Sequence, residues 1–149
     1  MPPVPRLLVV HHTPSPNLQA VLEAVREGAA MVDGIDLVVR PALSAGAADL
    51  LDADGVLLGT PANIGYMSGA LKHFFDTVYY PCLDATVGLP YGVYVHGGDD
   101  TAGALTAIQR ITGALRWKQV AAPLSLTGPP TPADLEACRE LAATVAVSL

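Results

Sequence analysis

The chain has 149 residues, with 8 Lys and Arg against 14 Asp and Glu and a formal charge of −6. That length suits one domain with a substantial core, and 51% hydrophobic against 15% charged residues excludes an intrinsically disordered chain. The acidic balance, without any cluster of Lys and Arg, excludes a protein that grips the phosphate backbone of nucleic acid.

Strand-like and helix-like segments alternate from end to end. Leu7 to His11 reads as a short buried strand, and Leu18, Val21, Leu22, Val25 and Ala29 then recur at helical spacing, predicting a helix from Asn17 to Met31. Asp33-Gly34 stops it, and Ile35 to Val39 is a second strand. Pro41 to Asp52 is rich in Ala and has room for a short helix. Asp54 to Gly59 is a third, continuously apolar strand, followed by a helix face of Met67, Leu71, Phe74, Phe75 and Val78. Tyr91 to Val95 is a fourth strand, and Ala104, Leu105, Ile108, Ile111, Thr112 and Leu115 mark the next helix. Val120 to Leu126 is a fifth strand, weakened by Pro123 and therefore placed at an edge or a bulge. Thr131-Pro132-Ala133-Asp134 is a capping box that opens the last helix, through Leu135, Leu141 and Val145.

Five strands alternating with five helices imply a parallel sheet with helices on both faces. Such a sheet also accounts for a mean hydropathy of +0.40 in a chain whose apolar runs all fall short of the ~18 residues of a membrane-spanning helix. Leu7 to Val10 is too short for a signal-peptide core, so a cytoplasmic protein is expected, as one domain over residues 1–149. Cys82 and Cys138 stand far apart, and neither a disulfide framework nor a zinc site is signalled; two buried thiols are expected. No metal site is expected.

Ligands of open α/β sheets bind beyond the carboxyl ends of the strands, so function is sought in the loops there. The first, His12-Thr13-Pro14-Ser15-Pro16-Asn17, fits neither the dinucleotide pattern G-x-G-x-x-G nor the triphosphate loop G-x-x-x-x-G-K-[ST]. Gly65 to Gly69 reads G-x-x-S-G, one position away from the nucleophile elbow. The third strand ends in Gly59-Thr60-Pro61, without the Asp that a phospho-accepting receiver domain requires. What the first loop does offer is Thr13, Ser15 and Asn17 at alternate positions. These short polar side chains can surround one anion at a helix N-terminus, or Ser15 or Asn17 can simply cap the helix.

The stretch Thr60-Pro61-Ala62-Asn63-Ile64-Gly65-Tyr66-Met67-Ser68-Gly69-Ala70-Leu71-Lys72-His73-Phe74-Phe75-Asp76 resembles the signature T-P-x-x-x-G-x-M-x-G-x-[LM]-K-x-F-x-D of flavodoxin-like NAD(P)H:quinone and FMN reductases. The first loop is similar to the phosphate loop of flavodoxins, and His96-Gly97-Gly98-Asp99-Asp100 to their third flavin loop. The resemblance implies a flavodoxin-like three-layer α/β/α fold with a five-stranded parallel sheet of order 2-1-3-4-5. It implies FMN as cofactor and NAD(P)H as co-substrate. Thr13, Ser15, Pro16, Asn17 and Leu18 would then hold the phosphate, the last through its N–H. Thr60, Pro61, Ala62, Asn63, Ile64 and Gly65 would line one edge of the isoalloxazine, with a backbone N–H near Ile64 at flavin N5. His96, Gly97 and Gly98 would bring backbone donors to the pyrimidine end.

This sequence departs from the family pattern at Pro16, which stands for the usual glycine, at Leu18, which stands for a threonine, and at Asn63 and Ile64, often Arg and an aromatic. Three readings follow: an NAD(P)H-dependent reductase of quinones, flavins or similar small acceptors, working by ping-pong hydride transfer; an electron-carrying flavodoxin; and a flavodoxin-fold module without flavin. Carriers sandwich the flavin between aromatic residues, for which Tyr66 and Tyr94 are the only candidates nearby. The reductase reading includes a homodimer or tetramer, and it assigns no side chain a proton-transfer role, since hydride chemistry belongs to the flavin.

Overall fold

The computed structural model describes residues 3–149. The elements run β1 (Arg6–His11), α1 (Pro16–Ala30), β2 (Asp36–Pro41), α2 (Ala47–Leu51), β3 (Gly55–Asn63), β4 (Tyr66–Met67), α3 (Gly69–Cys82), β5 (Pro90–Gly97), α4 (Ala102–Ala114), β6 (Lys118–Gln119), β7 (Leu124–Thr127) and α5 (Pro132–Val147).

Side chains alternate across a strand, so a strand buried on both faces feeds two cores. In β1, Leu7 and Val9 pack with Leu57, Tyr94 and the inner faces of α1 and α5. Leu8 and Val10 pack with Val56, Leu58 and the inner faces of α3 and α4. Three of the five helices, α1, α3 and α5, start at a side-chain cap that the sequence supplies. Ser15 Oγ accepts the N–H of Leu18 at 3.2 Å, and Ser68 Oγ that of Leu71 at 3.2 Å. The expected capping box is present: Thr131 Oγ1 accepts from Asp134 N at 3.1 Å, and Asp134 Oδ2 from Thr131 N at 2.9 Å. No helix among the described residues is long and apolar enough to cross a membrane.

The parallel sheet has the order β2-β1-β3-β5-β6, with β7 also pairing in parallel with β5. Taking β6 and β7 as two pieces of one edge strand, this is the flavodoxin-like order 2-1-3-4-5. That edge strand differs from the continuous run expected over Val120 to Leu126. It pairs over Lys118–Gln119, leaves the ladder after Val120 N donates to Tyr91 O, and resumes at Leu124–Thr127. Pro123, which has no N–H, sits in the gap.

The end of β3 also differs from a plain loop. The strand runs on to Asn63 and folds back as β4, pairing Ala62 with Met67 and Asn63 with Tyr66. The two turn residues, Ile64 and Gly65, both have positive φ, 52° and 69°, as a tight two-residue hairpin of the primed type requires.

Candidate functional site

Chain direction reverses about β1: the path goes to β2 on one side, then returns to β3 on the other. The carboxyl ends of β1, β3 and β5 lie side by side, with His11 paired to Gly59 and Gly59 to Tyr94. The loops after these strands therefore share one end of the sheet, where doubly wound folds place their ligands.

The β1–α1 loop presents donors. Pro16 occupies the first helical position, where a missing N–H costs nothing. Among the described residues, no hydrogen bond within the chain uses the N–H groups of Thr13, Ser15 or Asn17. The N–H of Leu18, expected to face the phosphate, is given to Ser15 Oγ. Ser15 is thus the helix cap, and its hydroxyl proton stays free to donate outward. Thr13 Oγ1 is hydrogen-bonded to His11 Nδ1 at 2.7 Å. Burial lowers the pKa of His11, with His12 and Arg26 adding to the effect, so the ring favours its neutral form.

The β3–β4 hairpin is built on a buried hydroxyl pair. Thr60 and Ser68 are both buried; Thr60 Oγ1 accepts the N–H of Ser68 at 3.0 Å, donates to the carbonyl of Pro61 at 2.8 Å, and is 3.0 Å from Ser68 Oγ. The Thr60 side chain ties the hairpin's base to the start of α3. Pro61 is buried, Ala62 half-buried, and Asn63, Ile64 and Gly65 are exposed, Ile64 completely. The tip therefore offers backbone and a bare aliphatic side chain.

In the β5–α4 loop, the Nε2–H of His96 donates to the carbonyl of Gly128 at 2.8 Å, which fixes the ring against the loop after β7. Gly97 is buried, and a Cβ there would lie 3.1 Å from Ala62 Cβ and 3.2 Å from Thr101 Cγ2. A Cβ at Gly98 would meet nothing within 4 Å. The Asp100 carboxylate leans over the hairpin, its Oδ2 3.3 Å from where a Gly65 Cβ would be. Gly103, in the first turn of α4, lies against the carbonyl of Gly65.

Sequence reasoning missed three members of this arrangement. Ser68 falls at an unspecified position of the reductase-like stretch and of the near-nucleophile pattern, whereas its place just before the helical run marks a cap. Asp100 lies in the stretch similar to the third flavin loop but has no role assigned there, and Gly103 carries no local signal; both are placed by the hairpin they touch. One aromatic candidate is corrected: Tyr94 is completely buried, with its ring over Gly59, and is not placed to stack on a ligand. Tyr66 is exposed, on β4. Both cysteines are buried; burial holds the Cys138 thiol at about 11 and raises Cys82 as well, so neither is a thiolate nucleophile near neutral pH.

The arrangement has the chemistry FMN requires. A phosphate needs donors, and the first loop supplies three free backbone N–H groups with hydroxyl and amide side chains at the positive end of a helix dipole. A flat ring needs an opening between two rigid walls. The hairpin is braced by Thr60, Ser68 and Gly103, and the space over Gly98 is clear.

The model of the NADPH-dependent FMN reductase family matches residues 33–125, from the approach to β2 as far as β7. A flavodoxin from Aquifex aeolicus (strain VF5) is 36% identical over 73 residues, covering 49% of this chain and 40% of that protein. An NAD(P)H dehydrogenase (quinone) from Acidithiobacillus ferrooxidans is 30% identical over 122 residues, covering 64% of this chain and 61% of that protein. The chain thus spans 40% and 61% of the length of these two relatives. Among solved structures, a flavodoxin from the domain Archaea superposes with a TM-score of 0.84 at 20% identity, over 96% of this chain and 97% of that one. A WrbA-like flavodoxin from Agrobacterium tumefaciens gives 0.78 at 21% identity, over 97% and 96%. At such identities the likeness is one of fold. The family match takes in the hairpin, the β5–α4 loop and the sheet from β2 onward, and this chain belongs to the NADPH-dependent FMN reductase family of flavodoxin-like proteins.

Proposed function

We propose that this protein holds FMN in the three loops and uses it to pass electrons from NAD(P)H to a small acceptor such as a quinone or a free flavin. Thr13, Ser15, Pro16, Asn17 and Leu18 form the phosphate loop, with Ser15 donating its hydroxyl proton and Asn17 its N–H and amide. Thr60 to Gly65 form one wall, where a backbone N–H at the hairpin tip faces the flavin N5, and His96, Gly97 and Gly98 form the other. Bound FMN supplies hydride acceptance and donation. The chain's part is to anchor the phosphate, orient the ring and leave one face accessible.

The observation that carries this reading is the missing aromatic cap. Ile64 projects into solvent, Gly98 carries no side chain, Tyr94 is locked in the core, and Tyr66 lines the groove between α3 and α4 with Lys72 and Arg110. A flavin face left open admits a nicotinamide at reacting distance and afterwards a flat acceptor in the same place, which is the basis of ping-pong kinetics. A homodimer or tetramer belongs to the same proposal, supported by the exposed Tyr80 and Val87.

The test is anaerobic mixing of FMN-loaded protein with NADH or NADPH, followed by a small quinone. Bleaching and then recovery of the flavin absorbance is expected. Bleaching only by a separate reductase protein would establish an electron carrier. A flat FMN titration of folded protein would leave a module without flavin.

A further inference from the structure

His11, the last residue of β1, is half-buried, and its Nδ1 stands 2.7 Å from the hydroxyl oxygen of Thr13 in the first loop. We propose that His11 turns the Thr13 hydroxyl toward the FMN phosphate and takes up a proton when the phosphate binds, so that FMN is held more tightly at about pH 6.5 than at about pH 8. The proposal rests on the FMN reading above and deepens it, naming the group that couples the phosphate loop to pH.

A hydroxyl carries one proton, and its neighbour decides where that proton goes. When the ring holds its proton on Nε2 alone, Nδ1 is an acceptor and the Thr13 O–H is given to it. When Nδ1 carries a proton, as it must in the imidazolium, Nδ1–H donates to Oγ1 and the Thr13 proton is released to another acceptor. The same loop holds the free N–H groups of Thr13, Ser15 and Asn17, and it leads into a helix whose first turn has no acidic residue. An anion at this loop receives the Thr13 proton only in the second arrangement. Phosphate and proton therefore favour the same state of one hydrogen bond.

The groups around the ring agree with this. The strands on either side set Pro41 and Gly59 beside His11, and neither titrates. His12 follows in the chain and Arg26 acts from α1; after burial, these two oppose a charge on the ring, and no carboxylate acts to favour one. The free ring is thus held neutral by burial and by cations. A phosphate supplies the negative charge that this surrounding lacks, and an opposite charge nearby favours the imidazolium. The loaded protein then binds more protons than the free one, so FMN affinity rises as pH falls. The useful range ends above pH ~6, where a phosphate monoester takes up a second proton of its own.

The experiment is fluorescence titration with FMN and with riboflavin at about pH 8 and pH 6.5, beside an NMR titration of the His11 ring protons with and without FMN. FMN is expected to bind about three- to tenfold more tightly at the lower pH, and riboflavin equally at both. The ring should titrate at higher pH when FMN is bound. His11→Asn should remove the pH dependence and His12→Asn preserve it. Thr13→Val should weaken FMN roughly tenfold at the lower pH, and unchanged thermal midpoints will show that the variants are folded. Equal FMN affinity at both pH values, a dependence that survives His11→Asn, or full affinity in Thr13→Val overturns the proposal and leaves the FMN reading standing. If FMN does not bind the folded wild type, the FMN reading is lost and inorganic phosphate becomes the probe. A His11 ring that then titrates at higher pH with phosphate supports the coupling, and a ring indifferent to phosphate overturns it.

Discussion

A Cβ on residue 103 would fall 2.0 Å from the carbonyl oxygen of Gly65, so α4 and the hairpin tip meet through backbone alone. Gly103→Ala should therefore push the hairpin away from the helix. The expected cost is about 1–3 kcal/mol of stability, with weaker FMN binding in proportion to how far the tip moves. Gly113 lies in the same helix with nothing within 4 Å of its virtual Cβ, and Gly113→Ala should stabilise by roughly 0.5–1 kcal/mol. Urea denaturation of the two variants measures the contrast. Equal effects would show that the close approach does not constrain the fold.

Ile64 is β-branched, fully exposed and held at a φ of 52°. A left-handed conformation costs such a residue about 1–2 kcal/mol, and no buried contact offsets it. Ile64→Asn, which places Asn-Gly at the turn, should raise stability by about 1 kcal/mol. A lower melting midpoint would mean that the isoleucine has a stabilising role in the free protein.

Tyr94 carries a hydroxyl that is completely buried and has no hydrogen-bond partner among the described residues. Burial pushes its pKa up, with the Cys138 thiol adding to the shift. An orphaned buried polar group costs about 1–3 kcal/mol, so Tyr94→Phe should be neutral or stabilising by up to about that amount. Denaturant midpoints at an unchanged slope give the answer. A clear loss would reveal a partner, such as a fixed water, at that oxygen.

The phosphate loop predicts a ligand difference. Asn17→Ala and Ser15→Ala should each weaken FMN roughly tenfold and leave riboflavin nearly unaffected. Ser15→Ala should also cost about 1 kcal/mol of stability, because Ser15 Oγ caps α1. Fluorescence titration with both flavins separates the cases. Parallel losses for FMN and riboflavin would place the phosphate elsewhere.

His11 makes the fold sensitive to acid. Burial lowers its folded-state pKa below the ordinary 6.5, so as pH falls past 6.5 the unfolded chain takes up a proton that the folded chain resists. Stability from this residue is complete above about pH 6.5 and is lost as pH drops toward and through the folded value. Urea midpoints between pH 7.5 and 5 should fall less steeply for His11→Asn than for the wild type.

Much of this was legible because local pattern and tertiary role agree. The apolar run Leu7 to His11 and the Thr131–Asp134 box fold as they read. The hairpin was hidden because isoleucine is among the least expected residues at a positive φ. The gap in the edge strand was hidden because Val120 and Ala121 are acceptable in a strand, and only Pro123 objects. In sequence, Tyr94 is one of two tyrosines near the loops that could substitute for a stacking aromatic. Pairing register sets it opposite Gly59, whose missing side chain leaves the space its ring fills. The contact between positions 65 and 103 depends on the whole sheet being assembled.

The broken strand after α4 also bears on how copies of this chain meet. A sheet apolar on both faces is hazardous wherever its border can template another strand. Here one border consists of pieces of two and four residues, Lys118–Gln119 and Leu124–Thr127, interrupted by a segment with Pro123. The other, β2, carries Asp36 and Arg40 and ends at Pro41. The first border offers no uninterrupted row of unpaired backbone groups, and the second is guarded by its charges and its terminal proline. Fibril-like growth is discouraged at both ends, and self-association is left to the outer faces of the helices.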